Sequence, residues 1–128
     1  MVRLKIVFFS GILFLSSMIC ASQSRTKNVV VSDIHGNDLL RMCASQVGTS
    51  EETFCTGFIV GARDGVVLAT ELREVKPIFE MPVEVIPEQL KDVVVKYLKE
   101  HPEEHHKPGG LLVIFALSKA FPPQDQRK

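Results

Sequence analysis

The chain has no tryptophan, one tyrosine and three cysteines in 128 residues. It also lacks an excess of either charge, since 15 basic residues balance 15 acidic ones. Without a basic excess there is no electrostatic footprint for nucleic acid, so no nucleic-acid partner is expected. Ser-His-Asp order, a phosphate-binding glycine loop and a zinc-protease motif are all missing. These absences leave no positive case for an enzyme. No apolar run reaches the about 20 residues that span a bilayer.

What is present at the N-terminus reads as an export signal. Arg3 and Lys5 form a basic start, and Ile6 to Leu15 is apolar apart from Ser10 and Gly11. Ser16, Ser17 and Ala21 are the small residues that a signal peptidase reads. Residues 1–21 are therefore expected to be a signal peptide cleaved after Ala21. A lipid on Cys20 is the less favoured alternative, because the bulky Ile19 precedes it. Residues 22–128 then carry 13 basic and 15 acidic groups, a net charge of −2. After cleavage no membrane association is expected. Two cysteines remain, Cys43 and Cys55, and an even pair in an exported chain reads as a disulfide.

The mature chain is of ordinary single-domain size. Its pattern predicts an all-α bundle of about four helices closed by one disulfide. Residues 22–35 read as a flexible leader, 36–123 as the helical domain and 124–128 as a polar tail. Val29 to Val31 suits an extended piece. Leu39, Leu40 and Cys43 recur at helical spacing, and Gly48 suits a terminator. Thr49 followed by Glu52 is a capping-box pattern. Phe54, Cys55, Phe58, Ile59, Ala62 and Val66 form one apolar stripe behind it. The pattern leaves the end of that helix open between Gly65 and about Leu72. Gly57 and Gly61, four apart, suggest close approach by a neighbouring helix. Glu71 to Val85 carries Pro77 and Pro82 and reads as a loop with little or no helix.

Pro87 opens the third helix at the position that tolerates proline. Leu90, Val93, Val94, Tyr97 and Leu98 face its apolar side. Pro102 stops it. Leu111 to Phe121 is apolar nearly all round, as expected of a helix buried by the others. Leu90, Val94, Tyr97, Phe115 and Phe58 are expected in one core. His101, His105 and His106 invite a metal reading, but a zinc site wants converging ligands with cysteine or carboxylate support. With Pro102 between them, His101 and His105 are not expected on one helical face. No metal or other cofactor is expected.

Four segments, NDLLRMC from Asn37, FCTGFIVG from Phe54, PEQLKDVVVKYLKEHPE from Pro87 and ALSKAFPP from Ala116, stand in an order that resembles the Rap–Tai family. These are periplasmic immunity proteins that neutralise peptidoglycan amidase toxins delivered by type VI secretion. The resemblance runs from about Gly36 to Pro122. It implies a compact helical domain, often a homodimer, that occludes the amidase cleft without chemistry of its own. Cys43 and Cys55 match two family cysteines. Two others are missing, where this chain has Glu80-Met81-Pro82 and Pro123. If those two pair with each other, one whole bridge is gone and the other is kept. Loops between helices carry polar groups on a rigid scaffold. Of Glu71–Val85 and Glu103–Gly110, the second is preferred, with Glu103, Glu104, His105, His106 and Lys107 as partner-binding candidates. A small periplasmic helical chaperone or stress protein of the same fold is the alternative reading.

Overall fold

The structure is a computed structural model that describes residues 33–124. The expected leader, signal peptide and Val29–Val31 piece lie outside the described residues, apart from the last positions of the leader. Four α-helices follow in order: α1 Gly36–Cys43, α2 Ser50–Arg73, α3 Pro87–Glu100 and α4 Gly109–Ala120. A single 3-10 turn, Pro102–Glu104, sits between α3 and α4. None of the described helices is long and apolar enough to cross a membrane.

Local chemistry sets the helix ends. Thr49 caps α2, its hydroxyl oxygen accepting from the Glu52 amide at 3.3 Å. Gly48, just before it, takes φ +87°, a left-handed conformation that suits glycine. Gly48 therefore shapes the entry to α2, while α1 has already ended at Cys43. The open end of α2 is settled in favour of the longer helix, which runs to Arg73. Glu74 closes it in the left-handed conformation, and the Val75 amide donates to the Thr70 carbonyl. Pro87 is the first residue of α3, and the Gln89 side chain accepts from the Ile86 amide at 3.1 Å.

All four helices contribute to one core. Leu39 and Cys43 enter from α1, Cys55 and Ile59 from α2, Leu90, Val94 and Leu98 from α3, and Leu112, Val113, Ala116 and Leu117 from α4. Phe79, from the long α2–α3 loop, also joins it. The expected disulfide is present: Cys43 and Cys55 are bonded, with Cα atoms 5.2 Å apart. It joins α1 to the first turns of α2 across the short connection. Beside it Glu52 and Lys91 form a mostly buried ion pair that ties α2 to α3.

Two packing expectations are corrected. Phe115 is 36 % exposed and stands outside the core, while Phe58 and Tyr97 pack against it only in part. Helix α4 is apolar nearly all round, but its neighbours leave one side open, and Leu111 and Phe115, four apart, share that side. Gly57 and Gly61 are not points of close approach among the described residues. A Cβ at either would meet nothing within 4 Å. The glycines that do lie against neighbours are Gly36 and Gly109. A Cβ at Gly36 would stand 2.8 Å from the His105 Cα and 2.6 Å from Leu112 Cδ1.

Candidate functional site

The α3–α4 connection, His101 to Pro108, carries the five predicted residues, and the structure brings them together with the start of α1. The first amides of a helix have no partner inside it. In α1 the Gly36 amide donates to the Lys107 carbonyl at 3.2 Å and the Asn37 amide to the His105 carbonyl at 3.4 Å. Two residues before Gly36, the Ile34 carbonyl accepts from the Gly109 amide at 2.6 Å, beside an isolated bridge between His35 and Pro108. The loop is thus sewn to α1 along its backbone. Gly36 permits this closeness because a side chain there would meet the loop backbone.

Side chains fasten the same loop. The His105 ring lies between the Asn37 side-chain oxygen, 2.8 Å from Nδ1, and the Leu98 carbonyl, 2.7 Å from Nε2. A carbonyl only accepts, so Nε2 carries a proton and donates to it. The ring therefore pins the end of α3 to the start of α1. Glu104 accepts from the Tyr97 hydroxyl at 2.8 Å and from Lys107 Nζ at 2.7 Å. Lys107 also stands over the Phe115 ring, 5.6 Å from its centroid. The His101 ring lies tilted against the Tyr97 ring, with centroids 4.4 Å apart. Its Nδ1 donates to Glu103 at 3.2 Å, which leaves Nε2 to accept from Lys119 Nζ at 3.1 Å.

The electrostatics follow from these contacts. The bonds from Lys107, and then from Tyr97, hold the Glu104 carboxyl below the usual carboxylate range. Glu103 is lowered by its own backbone amide and then by His101. Burial pushes the Tyr97 phenol up to about 12, with the Glu104 carboxylate adding to it. Both glutamates are therefore ionised at neutral pH, and Tyr97 is a neutral donor. The histidines do not converge on one point, since His101 and His105 turn to different partners. Of the five predicted residues, Glu103 and His106 are the most exposed. Glu104, His105 and Lys107 are half-buried and already bonded within the fold.

A family model described as Rap1a immunity proteins matches residues 35–123. The chain belongs to the Rap1a immunity protein family. No curated protein and no solved structure matches it. The matched span begins at the residue paired with Pro108 and ends at buried Pro123, so it takes in all four helices. Membership in the Rap1a family implies binding of a toxin partner, and such immunity proteins are generally non-enzymatic.

The fold of this Rap1a family member also accounts for the two positions where the resemblance expects further cysteines. The Glu80 amide donates to the Phe121 carbonyl at 2.9 Å, and the Glu80 carboxylate accepts from the Gln124 amide at 3.1 Å. Glu80 and the segment around Pro123 are thus adjacent, and hydrogen bonds join the two chain segments there. Sequence reasoning missed Asn37 and Gly36 as supports of the loop. Asn37 reads as an ordinary turn residue, and only a close Cβ contact distinguishes Gly36 from glycines such as Gly57 and Gly61.

Proposed function

We propose that the chain is an exported, periplasmic immunity protein that binds a peptidoglycan amidase toxin delivered by type VI secretion and covers its cleft. The observation that carries this reading, given the family, is the double fastening of the His101–Pro108 loop. Backbone bonds to α1 and the His105 ring hold its shape before any partner arrives. A surface ordered in advance loses less conformational entropy on binding. In this reading Glu103 and His106 make direct contacts at the rim, and Glu104 and Lys107 present the loop while held by Tyr97 and Phe115. His105 positions the loop from beneath. Inhibition needs only occlusion, so no group of the chain acts on substrate. The same reading includes a homodimer.

The test is binding of the purified mature protein to cell-wall amidases of the same organism and its competitors, followed by calorimetry. Glu103→Ala with His106→Ala should weaken binding tenfold or more while leaving the melting temperature unchanged. A parent protein that binds none of the amidases, and protects no cell against one, ends the reading. Binding that survives the double substitution moves the interface to another surface.

A further inference from the structure

An open apolar groove of about 440 Å³ runs between α2 and α4. Phe58, Ala62 and Val66 line it from α2, and Gly110 and Ile114 from α4. The four larger side chains, Phe58, Ala62, Val66 and Ile114, pack against the core yet keep part of their surface uncovered. Exposed Gly61 and Gly65 complete the lining at its outer edge and, without side chains, leave it open. None of the described residues that line the groove carries a charge.

The chain's own N-terminal segment enters at one end of this groove. The Gly109 amide donates to the Ile34 carbonyl at 2.6 Å, and His35 pairs with Pro108 in an antiparallel bridge. Gly110 is the next residue, so the contact stands at the mouth of the groove. A Cβ at Gly109 would lie 3.0 Å from the Ile34 carbonyl oxygen, so glycine there lets the two segments meet. Antiparallel pairing also sets a direction. Each step back from Ile34 corresponds to a step forward from Gly109, past Gly110 and toward Ile114. Ile34 already packs its side chain against the core.

Next in that direction come Asp33, Ser32 and then Val31, Val30 and Val29. The three valines lie outside the described residues. Extended chain covers about 3.3 Å per residue, so Val31 is about 10 Å and Val29 about 17 Å from Ile34. The α4 wall from Gly109 to Ile114 is about 8 Å long, and the α2 wall from Phe58 to Val66 about 12 Å. The reach of the valines therefore matches the groove. β-branched residues suit extended backbone. Three in a row, with no polar alternation, suit a strand covered on both faces. A groove between two helices covers both. We propose that Val29–Val31 docks as an extended segment in the groove between α2 and α4. Two residues separate Val31 from the anchored Ile34, and so short a tether gives the valines a millimolar effective concentration at the groove. A second copy or a toxin at lower concentration competes poorly with it. The polar part of the leader then shortens to residues 22–28. This inference rests on the groove and the entry of the chain, and does not depend on the amidase.

The experiment uses the mature protein with labelled methyl groups. Nuclear Overhauser contacts should join the Val29–Val31 methyls to those of Ala62, Val66 and Ile114. The triple variant Val29→Ser, Val30→Ser, Val31→Ser should shift those groove resonances and lower the melting temperature by roughly 5–10 °C. From the other side, Ile114→Ser should move the valine methyls toward unfolded-chain positions. Valine methyls at unfolded-chain positions in the parent would overturn the proposal, as would contacts from them to any other surface. Groove resonances that move with protein concentration would make the occupant a second copy. Resonances that ignore the triple substitution and move only when an amidase is added would assign the groove to the toxin. Either result also overturns it. The first measurements contain no amidase, so they can fail while the immunity reading stands.

Discussion

Replacing Gly36 by alanine tests whether the candidate loop is clamped to α1. The added Cβ would lie 2.6 Å from Leu112 Cδ1, 2.8 Å from the His105 Cα and 3.0 Å from the His105 carbonyl oxygen. The leucine methyl can rotate away, but the two backbone atoms move only with the loop. That displacement strains two bonds, Gly36 amide to Lys107 and Asn37 amide to His105. Overpacking of this kind costs about 1–3 kcal/mol. The reduced entropy of an unfolded alanine chain offsets about 0.4–1 kcal/mol of it. A net loss of about 1–2 kcal/mol should lower the melting temperature by roughly 5–15 °C in a domain of this size. Gly61→Ala is the matched control. Its Cβ meets nothing within 4 Å among the described residues, so the substitution should stabilise by about 0.5–1 kcal/mol. Thermal unfolding followed by circular dichroism reads both. If Gly36→Ala melts at or above the parent, the contact between α1 and the loop is looser than described and the argument for a preformed loop is wrong.

Three further outcomes follow from the same contacts. Phe115→Ala should cost about 1–2 kcal/mol, because the ring is on the open side of α4, whereas Leu112→Ala should cost about 2–5 kcal/mol; denaturant titration of the two separates them. Cysteines at both Glu80 and Pro123 should pair spontaneously, and the chain-entropy relation gives about 4 kcal/mol for a loop of that length; mass spectrometry of the non-reduced protein should find two bridges, and free thiols at 80 and 123 would show the segments to be apart. Tyr97 is the single tyrosine, so phenolate absorbance reports it alone, titrating at about 12 when folded and near its ordinary 10 when unfolded. A pKa raised by folding adds stability that is complete below pH 10 and is lost as pH rises through about 12. The Glu103 and Glu104 carboxyls, both lowered, act in the opposite direction: their support is present above their ordinary 4.5 and fades as the solution is acidified below it. Glu104→Gln should bring the Tyr97 titration down part of the way, since burial is the larger cause.

The family, the helix count and the disulfide were legible in the chain because each rests on local or near-local order. Periodicity marks the core faces of α2 and α3, since a helix repeats every 3.6 residues whatever surrounds it. Thr49 and Pro87 mark helix starts through bonds made within a turn. The pair Cys43 and Cys55 is only 12 residues apart, so little more than an antiparallel turn brings the sulfurs together. Tertiary structure decided what depends on distant chain segments meeting. Leu111 and Phe115 look like core residues in an apolar helix, and only the arrangement of α2, α3 and α1 around α4 leaves them at the surface. The sequence does not distinguish Gly36 from Gly61; one lies against the His105 backbone and the other against open solvent. His105 reads as one of three loop histidines, and it becomes a pin only when Asn37, 68 positions earlier, arrives beside it. Identical residue types took opposite roles because their neighbours came from elsewhere in the chain, and a local pattern carries no record of those neighbours.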